Sequence, residues 1–174
     1  MNGTYITVDD RPALVFERRL AHPVDAVWHA ITEPDELAAW FPNSVELEAR
    51  VGGRVQFTFP EGLDYPPMEG EVLAYEPPHR FHFTWGPDEL RFDLESLDDG
   101  AACLLRLTDV LSESEKAARD AAGWHYCLDR LGFALAGTPR KPDDSWKELN
   151  DLYIERFGPA AATIGPPDGH SDAG

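Results

Sequence analysis

The chain has 174 residues, enough for one domain, and 43% of them are apolar, an ordinary share for a globular protein. Fifteen basic against 32 acidic side chains leave a net charge of −17, which argues against nucleic-acid backbones and anionic membranes as partners. A domain of this length buries roughly two thirds of the surface its unfolded chain exposes, so a full hydrophobic core is available.

The first elements are strand-like: "TYITV" (4–8) and "ALVFERRL" (13–20), separated by the turn-prone "DDRP". "HP" breaks the second strand, and Pro23 suits the start of a helix in which Val24, Val27, Trp28 and Ile31 recur at helical spacing. Trp28 belongs to that stripe and is expected in the core. A second short helix, "PDELAAWF", carries acids at its N-terminus, which complement the helix dipole, and Leu37, Trp40 and Phe41 on its apolar side.

From Ser44 to Val110 the period changes to two. "SVELEA", "RVQFTF", "MEGEVLAYE", "RFHFTW", "LRFDLESL" and "ACLLRLTDV" are six strands joined by Gly- or Pro-bearing connectors, which indicates an antiparallel meander. Large residues share one parity: Val55, Phe57 and Phe59; Phe81, Phe83 and Trp85; Leu90, Phe92 and Leu94. The opposite parity is polar, so one face of the sheet is covered and the other is wet.

"SESE" opens the longest helix, with Ser112 and Glu115 spaced as a capping box, and Gly137 closes it. Trp124, Cys127, Leu128, Leu131 and Leu135 share its apolar face. Gly123 costs about 1 kcal/mol relative to alanine in mid-helix, so a close approach or a bend is expected there. His125 and Asp129 stand at i,i+4 off the apolar face, which reads as a surface pair. A further helix, "SWKELNDLYIERF", has its own Ser145/Glu148 box and a stripe of Trp146, Leu149, Tyr153 and Phe157 that must be buried somewhere. From Gly158 onward the composition is tail-like.

Nucleotide, zinc-protease and nucleophile-elbow motifs do not occur, no His/Cys/acid cluster has metal-ligand spacing, and no cofactor is expected. Cys103 and Cys127 read as two buried thiols and do not make a disulfide framework. The N-terminus lacks the basic and apolar regions of a signal peptide, and no apolar run approaches a membrane span, so the expectation is a cytoplasmic protein.

Four segments in order, "RRLAHPVDAVWHAITEPDELAAWF", "VGGRVQF", "GEVLAYEPPHRFHFTW" and "GWHYCLDRLGFAL", resemble the bacterial SRPBCC (START-like, Bet v 1-like) proteins of the Hsp90-ATPase-activator-homologue type over roughly residues 13–136. The resemblance implies an α+β helix-grip fold: a curved seven-stranded antiparallel sheet wrapped around a long C-terminal helix, with two short helices after the first strand. Residues 1–137 would form that domain, 138–157 a helical extension docked on the domain, over a pocket mouth or in a homodimer contact, and 158–174 a disordered tail. The fold also implies an elongated cavity between sheet and long helix. Its walls would be Phe57, Phe59, Phe81, Phe83, Trp85 and Phe92 from strands and Trp124, Leu128 and Leu131 from the helix, with Trp40 and Phe41 near an opening.

One departure stands out. Many relatives end the last strand with a "THSG"-like sequence, whereas this chain has "LTDVL", placing Asp109 on the same parity as Leu105 and Leu107. A buried carboxyl there needs a partner or takes up a proton. The expected function is non-catalytic binding of a small apolar or aromatic molecule. The alternatives are a polyketide cyclase or aromatase type of enzyme, for which Asp109 and Arg18 are the candidate catalytic residues, and a co-chaperone or other protein-binding domain.

Overall fold

A computed structural model describes residues 2–59 and 66–165; most of the connector between the fourth and fifth strands, and the end of the expected tail, lie outside the described residues. Eight strands form one antiparallel sheet: β1 Thr4–Val8, β2 Arg11–Leu20, β3 Ser44–Leu47, β4 Arg54–Thr58, β5 Met68–Glu76, β6 Arg80–Trp85, β7 Asp88–Leu97 and β8 Ala102–Val110. Their spatial order is β1-β2-β8-β7-β6-β5-β4-β3. The helices are α1 Val24–Thr32, α2 Pro34–Leu37, α3 Ala117–Leu135 and α4 Trp146–Phe157.

The sheet therefore has eight strands, not seven. The additional one is β1, which Asp9 and Asp10, both at positive φ, fold back onto β2 through a tight two-residue turn. Its register, Thr4 opposite Val15 and Val8 opposite Arg11, widens the sheet at the β2 edge.

Cross-strand rows explain the period-two pattern. One row on the helix-covered face runs Phe16, Leu107, Phe92, Phe81 and Tyr75. The next runs Leu14, Asp109, Leu90, Phe83 and Val72. On the opposite face Glu17, Arg106, Asp93 and Arg80 alternate in sign across β2, β8, β7 and β6, with Arg106–Glu17 at 2.6 Å and Arg80–Asp93 at 3.2 Å. Burial on one face and ion pairing on the other fix the register, because a one-residue slip would exchange them.

Trp28 packs edge-on against Tyr75 at 5.3 Å, as a core residue should. The second short helix is only one turn long, so Trp40 and Phe41 follow α2 instead of forming its side; Phe41 N–H still donates to Leu37 O at 2.8 Å. The Ser112/Glu115 box does not form. A 3-10 turn over Ser114–Lys116 precedes α3, whose N-cap position is Lys116, and the Ser112 N–H donates to Asp88 Oδ1 at 2.7 Å. The Ser145/Glu148 box does form, and Gly137 at φ +69° ends α3 as expected. Gly123 faces open space where a Cβ would stand, so no close approach explains it.

α4 packs along α3 and reaches the added strand. Tyr153 is fully buried and accepts a hydrogen bond from Gly3 N–H at 2.7 Å, while Phe157 meets Tyr5 at 5.4 Å. Gly3 approaches the Phe16 ring so closely that a Cβ there would lie 2.4 Å from it. The extension and β1 thus form one addition, a strand at the sheet edge and a helix that covers it. The chain also stays folded past Gly158: a 3-10 turn spans Pro159–Ala162, and Ile164 N–H donates to Glu115 O at 3.1 Å. That corrects the expectation of a disordered tail for 158–165.

Candidate functional site

The expected wall residues come together. Trp40, Phe41, Phe57, Phe81, Phe83, Phe92, Trp124, Leu128 and Leu131 are all buried between sheet and α3. Phe41 sits at the centre, 5.7 Å from Trp124, 6.2 Å from Phe57 and 6.5 Å from Phe83 between ring centroids. Phe83 continues the contact to Phe92 at 6.1 Å, and Trp85 meets Trp124 at 5.3 Å. These spacings are ordinary for aromatic side chains in contact.

Trp40 and Phe41 do not line an opening. Trp40 has no exposed surface, its indole N–H donates to Ala30 O at 2.8 Å, and its ring packs on Phe92. Phe59 lies one residue beyond β4 and is half-buried.

One end of this aromatic interior is polar. Asp109 has no exposed surface and accepts a hydrogen bond from the Trp124 indole N–H at 2.8 Å through Oδ2. Among the described residues its Oδ1 has no hydrogen-bond partner, and neither does the buried Nε1 of Trp85. Lys116, Asp120 and Trp124 follow each other at four-residue intervals, which stacks them on one side of the helix start. Lys116 Nζ donates to Asp88 Oδ2 and stands 3.9 Å from Asp120; Arg119 Nε donates to Asp120 at 2.6 Å. Asp88 in turn lies opposite Trp85 in the β6–β7 pairing.

The charges here balance only if one acid is neutral. Asp88 and Asp120 as carboxylates match Lys116 and Arg119, leaving Asp109 as the acid without a cation. Burial pushes Asp109 well above the ordinary carboxyl range, and the charges of Asp120 and Asp88 add to that. Burial raises Asp120 as well, with Arg119 and Lys116 opposing the shift, whereas Asp109 has no ion pair among the described residues; with a proton on Oδ1, Asp109 still accepts from Trp124 through Oδ2.

Arg18 is not part of this end. It pairs with Asp129 at 3.5 Å and lies opposite Leu105, four residues back from Asp109 along β8, about 13 Å away. The acid–arginine pair of the cyclase reading does not assemble. His125, read as a surface residue, is buried instead, because α4 covers a second face of α3. Tyr153 accepts from Gly3, its hydroxyl also hydrogen-bonds His125 Nδ1 at 2.9 Å, and burial lowers the His125 pKa. Cys103 and Cys127 are free and buried, their thiols pushed up to about 11 and about 12 by desolvation. Among the described residues no three His, Cys, Asp or Glu side chains gather to hold a metal ion.

Sequence reasoning missed Lys116 and Asp120, because charged residues at a helix start are ordinarily solvated, and Asp88, which opens β7 next to a turn. For the two on the helix, the four-residue spacing to Trp124 was the available signal. A separate open cleft of about 560 Å³ lies elsewhere, between β1 and the segment joining β8 to α3, lined by Tyr5, Ile6, Pro12 and Ser112–Glu115. It does not touch the aromatic set.

Residues 21–136 match the model of the family described as Activator of Hsp90 ATPase homolog 1-like protein. The chain belongs to that family, and its fold is the helix grip of the SRPBCC proteins. Among solved structures it is similar to EF2215 of Enterococcus faecalis, a conserved protein of unknown function: 23% identity, 89% of this chain and 90% of that one, TM-score 0.77. It is also similar to CalU16 of Micromonospora echinospora, at 25% identity over 91% and 95% of the two chains, TM-score 0.68. DynU16, a protein of the dynemicin biosynthetic locus, aligns at 25% identity over 75% of this chain and 50% of its own, TM-score 0.61. No curated protein matches. No helix among the described residues is long and apolar enough to cross a membrane.

Proposed function

We propose that this protein binds a small, flat apolar or aromatic molecule between sheet and long helix, and that it binds without catalysing a reaction. The observation that carries this reading is the set of buried polar atoms left without a hydrogen-bond partner among the described residues: Trp85 Nε1, Asp109 Oδ1, Asp120 Oδ2 and both amide atoms of Asn43, two residues beyond Phe41. A core built only for stability pairs such atoms, since each costs about 1–3 kcal/mol when left alone. Family membership supports the reading, as does the place of one similar structure in a biosynthetic locus. Separation of Asp109 from Arg18 weighs against acid–base catalysis by that pair.

A native mass spectrum of freshly purified protein, followed by a denaturing one, tests this directly. A stoichiometric small-molecule adduct that is lost on denaturation is the expected result, and its mass begins to identify the ligand. Phe83→Ala should weaken retention of that adduct while costing roughly 3–5 kcal/mol of stability. Equal retention by a folded Phe83→Ala/Trp124→Ala double variant would place the ligand outside the aromatic interior.

A further inference from the structure

Two groups next to Trp124 have a polar atom without a partner among the described residues. Trp85, 5.3 Å away between ring centroids, has a buried indole N–H without an acceptor. Asp109 uses Oδ2 to accept from Trp124 and leaves Oδ1 free. The indole N–H is a donor only. Asp88 and Asp120 have the cations Lys116 and Arg119 beside them, Asp109 has no ion pair among the described residues, and with its proton in place the free oxygen is a donor. Both orphans are then donors: Asp109 is bracketed on the sheet by Leu14 and Leu90, and Trp85, which lies opposite Asp88, donates to no group among the described residues.

We propose that Asp109 and Trp85 form the recognition end of the interior site, donating hydrogen bonds to an acceptor oxygen, a ketone- or quinone-type carbonyl, on a flat aromatic ligand. This rests on the binding reading above and narrows it to a chemical class. The aromatic rings of Phe41, Phe83 and Trp124 bury the ring system and the two donors orient it. A hydrocarbon of the same shape would leave both donors unpaired, which is how such sites discriminate.

The probes are 2-acetylnaphthalene and 2-ethylnaphthalene, near-isosteric and differing in the carbonyl. Binding to the full-length protein is measured by calorimetry, and by the indole N–H signals of the 15N-labelled protein assigned by triple resonance. The ketone should bind about tenfold more tightly, and the Trp85 indole signal should move downfield with the ketone alone. Trp85→Phe and Asp109→Leu should bring the ketone down towards the hydrocarbon. Asp109→Asn, whose amide still donates, should keep the preference. Equal affinity for both probes with an unmoved Trp85 signal overturns the proposal and leaves interior binding standing; these two experiments on the unaltered protein hold even where a variant fails to fold. Binding of neither probe removes the interior reading together with the proposal. Loss of the preference in a folded Asp109→Asn variant would show that the carboxyl accepts, and would overturn its assignment as a donor.

Discussion

Asp109 lies on the covered face of β8 between Leu14 and Leu90, and its proton has a measurable consequence. An aspartate in an unfolded chain titrates near about 3.9. In the folded protein burial holds the proton to higher pH, and the charges of Asp120 and Asp88 reinforce that, against the Trp124 hydrogen bond and Lys116. Between those two pKa values the folded state binds more protons than the unfolded one, so this contribution to stability falls as pH rises. Asp109→Asn cannot ionise. Relative to the parent it should show no gain in urea midpoint below about pH 4 and a growing gain from there towards neutral pH. A difference that does not change with pH would mean that folding leaves the Asp109 pKa unshifted.

At the scale of elements, α3 and α4 carry the two sharpest tests. Gly123 has no positive φ and open space where a Cβ would go, so Gly123→Ala should stabilise the protein by about 0.5–1 kcal/mol, read from denaturant unfolding. A destabilised variant would mean that the position is crowded or strained after all. Tyr153 joins α4 to the N-terminal segment and to α3 through one hydroxyl, which accepts from Gly3 and shares a hydrogen bond with His125. Tyr153→Phe keeps the ring contacts with Phe16 and Phe157 but leaves the Gly3 N–H without its acceptor, at a cost of about 1–3 kcal/mol. Amide exchange near residue 3 should accelerate with it. Unchanged exchange would show that the hydroxyl does not hold the added strand.

Over the whole molecule the charge is far from balanced. Thirty-two acids outnumber 15 bases, so even with every base paired a net charge of −17 remains to repel itself. Individual surface pairs such as Arg106–Glu17 contribute only about 0–1 kcal/mol each and are themselves weakened by salt. Net repulsion outweighs them. Raising ionic strength from about 0.01 to about 0.15 M shortens the screening length from about 30 to about 8 Å and should raise Tm. A falling Tm in calorimetric scans would show that the ion-pair rows on the outer face prevail over the repulsion.

Much of this architecture was legible in the chain itself. Period-two runs located the meander because each strand has one buried and one ion-paired face, and Phe81, Phe83, Phe92 and Trp124 were placed in the interior by parity and helical spacing alone. Asp109 was marked as inward by the same parity. Local pattern could not show that Ser112 would turn its N–H to Asp88, a carboxylate 24 residues away, instead of capping α3. Nor could it show that His125 would be covered: a single helical stripe accounts for one packed face, and α4 creates a second. The unpaired atoms of Trp85 and Asp109 belong to the same class. Residue type and periodicity determined which side chains are buried, because burial follows from solvent preference along each element. Which buried polar atoms find partners was decided only by tertiary structure, because hydrogen bonds depend on distances between elements that the sequence keeps far apart.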